Sequence, residues 1–546
     1  MASLGTFQVP PIENEVVKEY KLESTETALL QAALITIQAQ LPLKIPLVIG
    51  GQMITTDDTV DTLNPAQTAQ VLATTSQATA KHVAMAIEAA QDAKKYWESR
   101  SLAARSAVFL KAAELISSKY RYQLVAATML GQGKNIYQAE IDAAAELIDF
   151  LRFNCLYAQE LYAQQPMKSA PGVWNRAEYR ALEGFVYAIT PFNFTAIASN
   201  LVAAPTLMGN TVVWKPSPYA VFSNYLLYNI FVEAGLPPGV INFVPGDAEM
   251  VTKQVLANRN FAALHFTGST SVFQNLYKQI ANNLLNYRCF PRIVGETGGK
   301  NFHLVHSSAD LPSAVKSTIR GAFEYQGQKC SATSRLYVAS SIWAQFKSLL
   351  LLEISKLTVG PPTDLLSFIG PVIHEASFNR LTTVLDDLAK DPEIQIIAGG
   401  GPGNASDGYF IKPTIAVAST PTHDIFKKEL FGPVLAVYVY QDSEFEVIMD
   451  TIDQTSDYAL TGSIYSKDRD IIELSSYKLR NAAGNFYIND KSTGAVVGQQ
   501  WFGGARQSGT NDKSGSANIL SRFVSIRSVK ETFVETTTVF YPSNGV

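Results

Sequence analysis

The feature that most constrains the fold of this chain is an alternation of short apolar runs with helix-like segments from residue 184 onward. Apolar runs with the length of buried strands lie at residues 185–189, 211–214, 240–244 and 262–266. Helix-like segments separate them at residues 194–207, 221–234 and 250–258. Strands that alternate with helices form a parallel sheet with helices on both faces. The pattern therefore predicts an α/β fold that binds its ligands at the carboxyl ends of the strands.

The residues that follow these four predicted strands are small, polar or cationic, as a dinucleotide site requires. They lie at positions 190–193, 215–217, 245–246 and 267–270. The glycine fingerprint G-x-G-x-x-G is missing from this region, so the fingerprint alone argues against NAD. A second alternation of strand-like and helix-like segments begins after residue 300, at residues 301–306, 335–339 and 342–357.

A long helix is predicted at residues 135–155. Two other stretches, at residues 164–183 and 522–541, do not fit a regular alternation of strands and helices. Residues 164–183 are polar and contain two prolines and a glycine in their first part, which favours an extended hairpin that leaves the domain. The last stretch, residues 522–541, is typical of one or two strands with little to pack on. We interpret it as a contact between subunits.

Composition excludes several classes of protein. Hydrophobic residues make up 47% of the 546 positions and charged residues 17%, which is enough for large cores in two or three domains. The net charge of −4, without a long basic run, argues against a nucleic-acid surface. No apolar run reaches the roughly 18 residues of a membrane-spanning helix. The six histidines and three cysteines show no metal-ligand spacing, so no metal site is expected.

Two glycine-containing stretches carry residues suited to covalent chemistry. Cys330 follows a glycine by three positions and precedes small residues, and the adjacent Lys329 can favour the nucleophilic thiolate. Glu296 is followed closely by two glycines and suits a base that must approach a reacting centre. Each residue alone has an ordinary explanation, because a cysteine is usually a small core residue and a glutamate usually a surface charge. Their occurrence together makes the catalytic interpretation stronger.

The stretches at residues 327–330 and 296–300 resemble the nucleophile and glutamate signatures of the aldehyde dehydrogenase superfamily. The resemblance implies a modified Rossmann domain that binds NAD, an α/β catalytic domain and a small β flap for oligomerisation. The implied NAD-binding domain comprises residues 1–160 and 184–297, and the catalytic domain residues 298–508. The flap would comprise residues 161–183 and 509–546.

The resemblance also implies roles for individual residues. Cys330 would add to the aldehyde to form a thiohemiacetal and then a thioester, Glu296 would activate water, and the Asn193 amide would stabilise the oxyanion. The residues expected to contact NAD are Thr190, Lys215, Gly268, Ser269, Thr270, Ser271, Val272 and Glu429. Phe273 replaces the last glycine of the superfamily's Gly-Ser-Thr-x-x-Gly turn, which affects the expected position of the pyrophosphate.

Runs at residues 138–146, 485–494 and 503–513 are most similar to one branch of the superfamily. This branch oxidises glutamate 5-semialdehyde, formed from Δ1-pyrroline-5-carboxylate, to glutamate in proline catabolism. The resemblance implies substrate contacts from Ser331, Gly494, Ala495, Phe194, Phe502 and Glu146. Trp501 and Ala495 depart from the usual residues at their positions. The alternatives are a dehydrogenase of another semialdehyde or amino-aldehyde, and a catalytically silent member that acts as a binding protein.

The same resemblance implies a small-molecule substrate, a homodimer or higher homo-oligomer, and no nucleic-acid or membrane partner. Eukaryotic members of this branch work in the mitochondrial matrix, whose presequences are rich in arginine and poor in acidic residues. Here the first arginine is Arg100, and glutamates outnumber lysines in the first thirty residues. The residues themselves therefore leave both the matrix and the cytoplasm open.

Overall fold

Two seven-stranded sheets organise the chain in this computed structural model, which describes residues 7–401 and 407–545. In spatial order, the first sheet contains Arg292–Glu296, Phe261–Thr267, Phe185–Ile189, Val212–Lys215, Ile241–Phe243, Leu47–Ile49 and Gln52–Ile54. The first five strands run parallel, and the last two form an antiparallel hairpin at the edge. The predicted α/β class is confirmed.

The central strands of this first sheet are mostly apolar and are buried throughout because helices cover both of its faces. Every residue of Phe261–Thr267 and of Val212–Lys215 is buried. The helices that pack beside or connect the strands are Ala80–Glu98, Thr195–Leu207, Val221–Ala234, Ala248–Ala257 and Thr270–Asn282. Three of these helices lie between successive strands and explain the alternation of strand-like and helix-like segments in the sequence: Thr195–Leu207, Val221–Ala234 and Ala248–Ala257.

The second sheet is parallel except at one edge, where Ile394–Ala398 pairs antiparallel with its neighbour. From that edge its remaining strands are Thr414–Ala418, Val434–Tyr440, Thr333–Ala339, Asn301–Val305, Thr461–Tyr465 and Asn485–Ile488. Its helices are Leu311–Phe323, Ser340–Ile354, Glu375–Lys390, Phe445–Gln454 and Arg469–Lys478. The edge strand Arg292–Glu296 of the first sheet leads directly into Asn301–Val305, so the short loop between them joins the two sheets.

A further group of helices precedes the parallel strands of the first sheet along the chain. It contains Thr25–Gln38, Leu102–Leu115, Arg121–Gln132, Ile136–Glu140 and Leu147–Tyr162, with π-helical turns at Ile116–Tyr120 and Ile141–Glu146. The single helix predicted at residues 135–155 is therefore wrong in two respects. A π-helical turn interrupts it, as often occurs at functional sites, and the last part continues to Tyr162.

A two-stranded antiparallel ribbon lies apart from both large sheets. Val173–Ala181 pairs over its whole length with Val524–Thr532, so the hairpin predicted within residues 164–183 is wrong. That segment supplies one strand, and its partner comes from the other end of the chain. The side chains of Trp174 and Ile526 on this ribbon are more than half exposed.

Small elements complete the fold. A three-stranded sheet contains Leu43–Ile45, Gln67–Ser76 and Thr59–Asn64, and a short pairing joins Tyr458–Ala459 to Ala505–Arg506. Short helical elements are Glu324–Gly327, Asp424–Phe426, Asp442–Glu444, Ala517–Ser521 and Pro542–Asn544. Among the residues described, no helix combines the length and apolar character needed to cross a membrane.

Candidate active site

Cys330 lies in a loop whose backbone is held in an unusual conformation. Tyr325 and Gln326 have φ angles of +52° and +56°, which non-glycine residues rarely adopt. The Gln326 side-chain amide donates hydrogen bonds of 2.9 Å to the carbonyl of Gly133 and 2.8 Å to that of Pro371. Such strain persists where surrounding contacts enforce it, and it is common at functional sites. The loop is therefore built to hold the cysteine in one position.

The surroundings of Cys330 oppose formation of a thiolate. Burial raises the pKa of its thiol, and the negative charges of Glu296 and Glu429 raise it further. Lys329 does not counter this effect, because its Nζ donates a 3.0 Å hydrogen bond to the buried carboxylate of Glu324. The expectation that Lys329 favours the thiolate is therefore wrong for this structure. The thiol is protonated at neutral pH and needs a base to activate it.

Glu296 is the titratable group with the properties of that base. It ends the edge strand Arg292–Glu296, and burial raises its pKa to about 7. A 3.0 Å hydrogen bond from Ser514 Oγ and the positive charge of Lys513 oppose this rise, whereas Asp512 adds to it. A carboxyl group with a pKa near neutrality can both accept and return a proton.

Asn193 stands at the beginning of the helix Thr195–Leu207 and reaches the nucleophile loop. Its side-chain amide donates a 3.1 Å hydrogen bond to the carbonyl of Gln328. Behind it, the Asp142 carboxylate accepts the backbone N–H of Thr195 at 2.9 Å and also forms a 2.7 Å ion pair with Lys134. Asp142 and Lys134 are fully buried. This pair, which the sequence did not single out, fixes the end of the helix that carries Asn193.

A cavity of about 510 Å³ joins the two signature residues, since both Cys330 and Glu296 line it. All six residues predicted to contact the substrate also line it: Ser331, Gly494, Ala495, Phe194, Phe502 and Glu146. Asn193 is not among the lining residues, but its amide bonds to the cysteine loop beside the cavity. The structure thus brings together residues that are scattered over most of the chain.

One end of the cavity offers hydroxyl, backbone and cationic groups. Ser331 Oγ lies 2.7 Å from Thr493 Oγ1, and either hydroxyl can be the donor. The next residue, Gly494, has a φ of +99°, a conformation that favours glycine. Lys491 and Arg320 also line this cavity. Sequence reasoning missed Thr493 and Lys491, although both belong to the run that resembles the semialdehyde branch.

Glu146 lines the cavity and is the last residue of the π-helical turn Ile141–Glu146. Burial raises the pKa of its carboxyl group, Asp142 raises it further, and Lys134 lowers it. Lys134 Nζ also lies 3.8 Å from the centre of the Phe194 ring, on the cavity wall. The positive charge of Lys134 therefore acts on two residues of the cavity wall, the acidic Glu146 and the aromatic Phe194.

The residues expected to bind a dinucleotide meet at the carboxyl edge of the first sheet. The buried Thr190 accepts a 2.9 Å hydrogen bond from the indole of Trp214. Lys215 is also buried, and burial lowers its pKa. Its Nζ makes a long 3.4 Å hydrogen bond to the carbonyl of Pro216, so it retains donors for an oxygen-rich ligand. A buried cation with spare donors fits a ribose or phosphate.

The helix Thr270–Asn282 presents its positive end beside these residues. Ser269 caps it by accepting the N–H of Val272, and Ser271 Oγ lies 3.5 Å from Ser269 Oγ. Phe273 stacks on Phe266 with ring centres 5.4 Å apart, inside the core. The aromatic residue that replaces the expected glycine therefore points away from the helix end, and the position remains open to an anion.

Glu429 contacts the glutamate signature at residues 296–300, next to the region expected to bind the dinucleotide. Its Oε1 accepts the backbone N–H of Gly299 at 2.8 Å. A Cβ at Gly298 would lie 2.3 Å from Glu429 Oε2, so a side chain there would displace the carboxylate. Burial raises the pKa of Glu429 to about 7.

Within the described ranges, one group of three potential metal ligands has its atoms within 4.8 Å of one another: Asp391, Glu393 and His423. His423 Nε2 and Asp391 Oδ2 already bond to each other at 3.0 Å. Exposed acidic groups are common without a metal ion. The expected lack of a metal site stays a prediction.

Comparisons with known proteins agree on one family. The model of the aldehyde dehydrogenase family matches residues 53–529. The mitochondrial Δ1-pyrroline-5-carboxylate dehydrogenase of Emericella nidulans is 58% identical, with 100% of this chain and 96% of that protein covered. The human mitochondrial protein of the same name is 48% identical over 95% of this chain and 92% of its own.

A solved structure shows the same relationship. The Δ-pyrroline-5-carboxylate dehydrogenase of Mycobacterium tuberculosis, crystallised with NAD, superposes with a TM-score of 0.95 and 46% identity over 99% of both chains. The family model covers most of the chain, and the relatives are far above 30% identical over nearly their full length. Both findings indicate the same family. This chain belongs to the aldehyde dehydrogenase family.

Proposed function

We propose that this protein oxidises glutamate 5-semialdehyde, formed from Δ1-pyrroline-5-carboxylate, to glutamate in proline catabolism, with NAD as cofactor. The observation that carries the proposal is that Cys330, Glu296 and the six expected substrate residues line a single cavity. Full-length relatives named for this activity support the same substrate. Each step below follows from a group in or beside that cavity.

The first step is addition of the Cys330 sulfur to the aldehyde carbon. Because burial keeps the thiol protonated, its proton passes to a base, and Glu296, with a pKa of about 7, is suited to receive it. A carbon–sulfur bond forms as the carbonyl π bond opens onto oxygen. The Asn193 amide has two N–H groups and gives one to Gln328. The other, with the backbone N–H of Cys330, can stabilise the oxyanion.

Residues at the edge of the first sheet hold the cofactor. NAD, when bound, supplies the acceptor for the hydride that leaves the substrate carbon. Lys215 suits the adenosine ribose, and the helix end capped by Ser269 suits the pyrophosphate. Gly268, Thr270, Ser271 and Val272 adjoin Ser269 along the chain, and Thr190 lies beside Lys215, whose carbonyl accepts its backbone N–H at 3.2 Å. Glu429 is assigned to the nicotinamide ribose. These assignments rest on the family motifs together with the buried positions of Lys215 and Thr190.

The last step is hydrolysis of the thioester. Once the proton taken from Cys330 has passed to solvent, Glu296 is again a carboxylate and takes a proton from water while the water oxygen bonds to the acyl carbon. The carbon–sulfur bond then breaks, and Glu296 returns this proton to the sulfur of Cys330. Ser514 holds Glu296 for this role through its 3.0 Å hydrogen bond.

The far end of the cavity selects the substrate. The hydroxyls of Ser331 and Thr493 and the backbone at Gly494 and Ala495 suit the α-carboxylate. Glu146 is the candidate partner of the α-ammonium group. The methylene groups between the two ends would pack between the aromatic side chains Phe194 and Phe502.

We also infer the organisation of the whole enzyme. The boundary between the NAD-binding domain and the catalytic domain is assigned to residues 297–298, as in the prediction from the sequence. The ribbon of Val173–Ala181 and Val524–Thr532, with its exposed Trp174 and Ile526, is a candidate surface for a homodimer or higher oligomer. Relatives from Emericella nidulans, Dictyostelium discoideum and human are named mitochondrial, which supports action in the mitochondrial matrix.

The test is a comparison of three aldehydes with the purified enzyme and NAD. We expect kcat/KM to be highest with Δ1-pyrroline-5-carboxylate, lower with succinate semialdehyde, and lowest with pentanal, which has no carboxylate. NADH absorbance measures each rate. A clear preference for succinate semialdehyde or pentanal would overturn the proposed substrate.

A further inference from the structure

An extended N-terminal arm, residues 7–23, crosses the outer side of the substrate cavity. Three of its residues, Asn14, Glu15 and Val17, line the same cavity as Cys330. The arm contains no helix or strand over residues 7–21, so side-chain contacts must hold it in place. Neither the family motifs nor the sequence patterns drew attention to it.

Partly buried ion pairs fix the middle of the arm. The Glu15 carboxylate accepts hydrogen bonds of 2.6 Å from Arg121, 2.7 Å from Arg152 and 3.0 Å from Ser117. The arm backbone bonds to Glu140 at 2.9 Å through the N–H of Lys18. Contacts between buried charged groups are costly to break. The arm is therefore a fixed part of the cavity wall.

Asn14 links this fixed arm to the loop that carries Gly494 and Ala495. Its Nδ2 donates 2.7 Å to Asp149 Oδ2 and 2.6 Å to the carbonyl of Val497, while its Oδ1 accepts 2.9 Å from Gln499 Nε2. Asp149 belongs to the helix Leu147–Tyr162, so one side chain ties that helix to the loop. The loop at residues 493–497 has no regular secondary structure of its own.

We propose that Asn14 is a positioning residue for substrate selection, because it sets the place of the loop that would receive the α-carboxylate. This inference rests on the proposed function. Glutamate semialdehyde must reach Cys330 with one end and the loop with the other, so the separation of the two must match the length of the substrate. An aldehyde without a carboxylate does not use the loop and is much less sensitive to its position.

The test compares Asn14→Ala and Asn14→Asp with the control Glu13→Ala. The aspartate variant keeps the size of the side chain but removes both N–H donors and places a negative charge beside Asp149. Glu13 is on the same arm, is exposed and does not line the cavity. We expect both Asn14 variants to raise KM for Δ1-pyrroline-5-carboxylate by about 5- to 20-fold, as for loss of one or two hydrogen bonds. We expect kcat to change by less than about threefold and kcat/KM for pentanal to fall far less.

Three outcomes separate the possibilities. If the wild type does not prefer Δ1-pyrroline-5-carboxylate, the proposed function fails. If it does, but the Asn14 variants behave like Glu13→Ala, the inference about Asn14 is overturned. Equal losses with pentanal and with Δ1-pyrroline-5-carboxylate also overturn it, because they indicate general damage to the fold. Thermal unfolding and gel filtration of each variant identify that damage independently.

Discussion

Ser514 Oγ donates a 3.0 Å hydrogen bond to Glu296 Oε1, which joins the glycine-rich loop near the C-terminus to the edge strand of the first sheet. The bond acts on the group that we propose as the base. Burial raises the pKa of Glu296 to about 7, and this hydrogen bond opposes the rise by stabilising the ionised form. The position and the charge of the carboxylate therefore both depend on Ser514.

The pH dependence follows from this relationship. Glu296 must be ionised to activate water, so the hydrolysis rate should be full above pH 7 and should fall as the pH drops through about 7. Ser514→Ala removes a contact that lowers the pKa, and the midpoint should move to higher pH. At pH 6.5 the rate should fall by about threefold to tenfold, since one pKa unit is a factor of ten. A profile of kcat against pH measures this, and Ser514→Thr, which keeps the hydroxyl, is the matched control. An unshifted midpoint in Ser514→Ala would contradict the role of the bond.

Glu296→Gln should slow both formation and hydrolysis of the thioester, because Glu296 is the proposed base for Cys330 and for water. Rapid mixing should show no burst of NADH, in contrast to a variant that is impaired in hydrolysis alone. A burst of about one NADH per active site, followed by slow turnover, would contradict the role of Glu296 in deprotonating Cys330. Because the pKa of the Cys330 thiol is raised, addition of its sulfur to the aldehyde depends on a base.

Cys330→Ala should abolish oxidation of every aldehyde while NAD still binds, since the thiol reacts with the aldehyde and not with the dinucleotide. Isothermal titration with NAD and an activity assay measure the two properties. Cys289→Ala, at a half-buried position, should retain activity and serves as the control. With an alkylating reagent, loss of activity should follow labelling of Cys330, and Cys155 should stay unlabelled because it is fully buried. Substantial turnover by Cys330→Ala would exclude the covalent mechanism.

Ser331 and Thr493 should act as a pair, because their hydroxyls are 2.7 Å apart. A hydrogen bond to a charged group contributes about 1.5–3 kcal/mol. Ser331→Ala should therefore lower kcat/KM for Δ1-pyrroline-5-carboxylate by about 10- to 150-fold and have a much smaller effect with pentanal. Thr493→Val should lower kcat/KM less in the Ser331→Ala variant than in the wild type, since the two hydroxyls are coupled. Equal losses with both aldehydes would instead indicate that Ser331 shapes the cysteine loop.

Lys134 should matter for stability, because it is buried and forms a 2.7 Å ion pair with Asp142. Lys134→Met leaves a buried carboxylate without its cation and should lower the free energy of unfolding by about 3–5 kcal/mol. The double variant Lys134→Met, Asp142→Leu removes both charges and should recover part of the loss. Urea denaturation followed by circular dichroism measures both. If Lys134→Met alone is as stable as the wild type, the ion pair does not hold the helix that carries Asn193.

The α/β class could be predicted from the sequence, and so could the meeting of Cys330 and Glu296 in one site. Strand and helix periods are local properties of neighbouring residues, so the alternation from residue 185 to residue 266 could be read directly. The two signature stretches likewise identified Cys330 and Glu296 because glycines and the reactive residue stand side by side in the chain.

What those residues contact could not be predicted from the sequence, because it depends on how the chain packs. Asn14 and Val497 are 483 positions apart, and no local pattern predicts that they share a hydrogen bond. Lys329 stands next to the nucleophile but bonds to Glu324, and Glu146 lines the cavity from the end of a π-helical turn. Such contacts depend on how distant segments pack and on which buried charges find partners. These are properties of the whole folded chain and cannot be obtained from any single stretch of it.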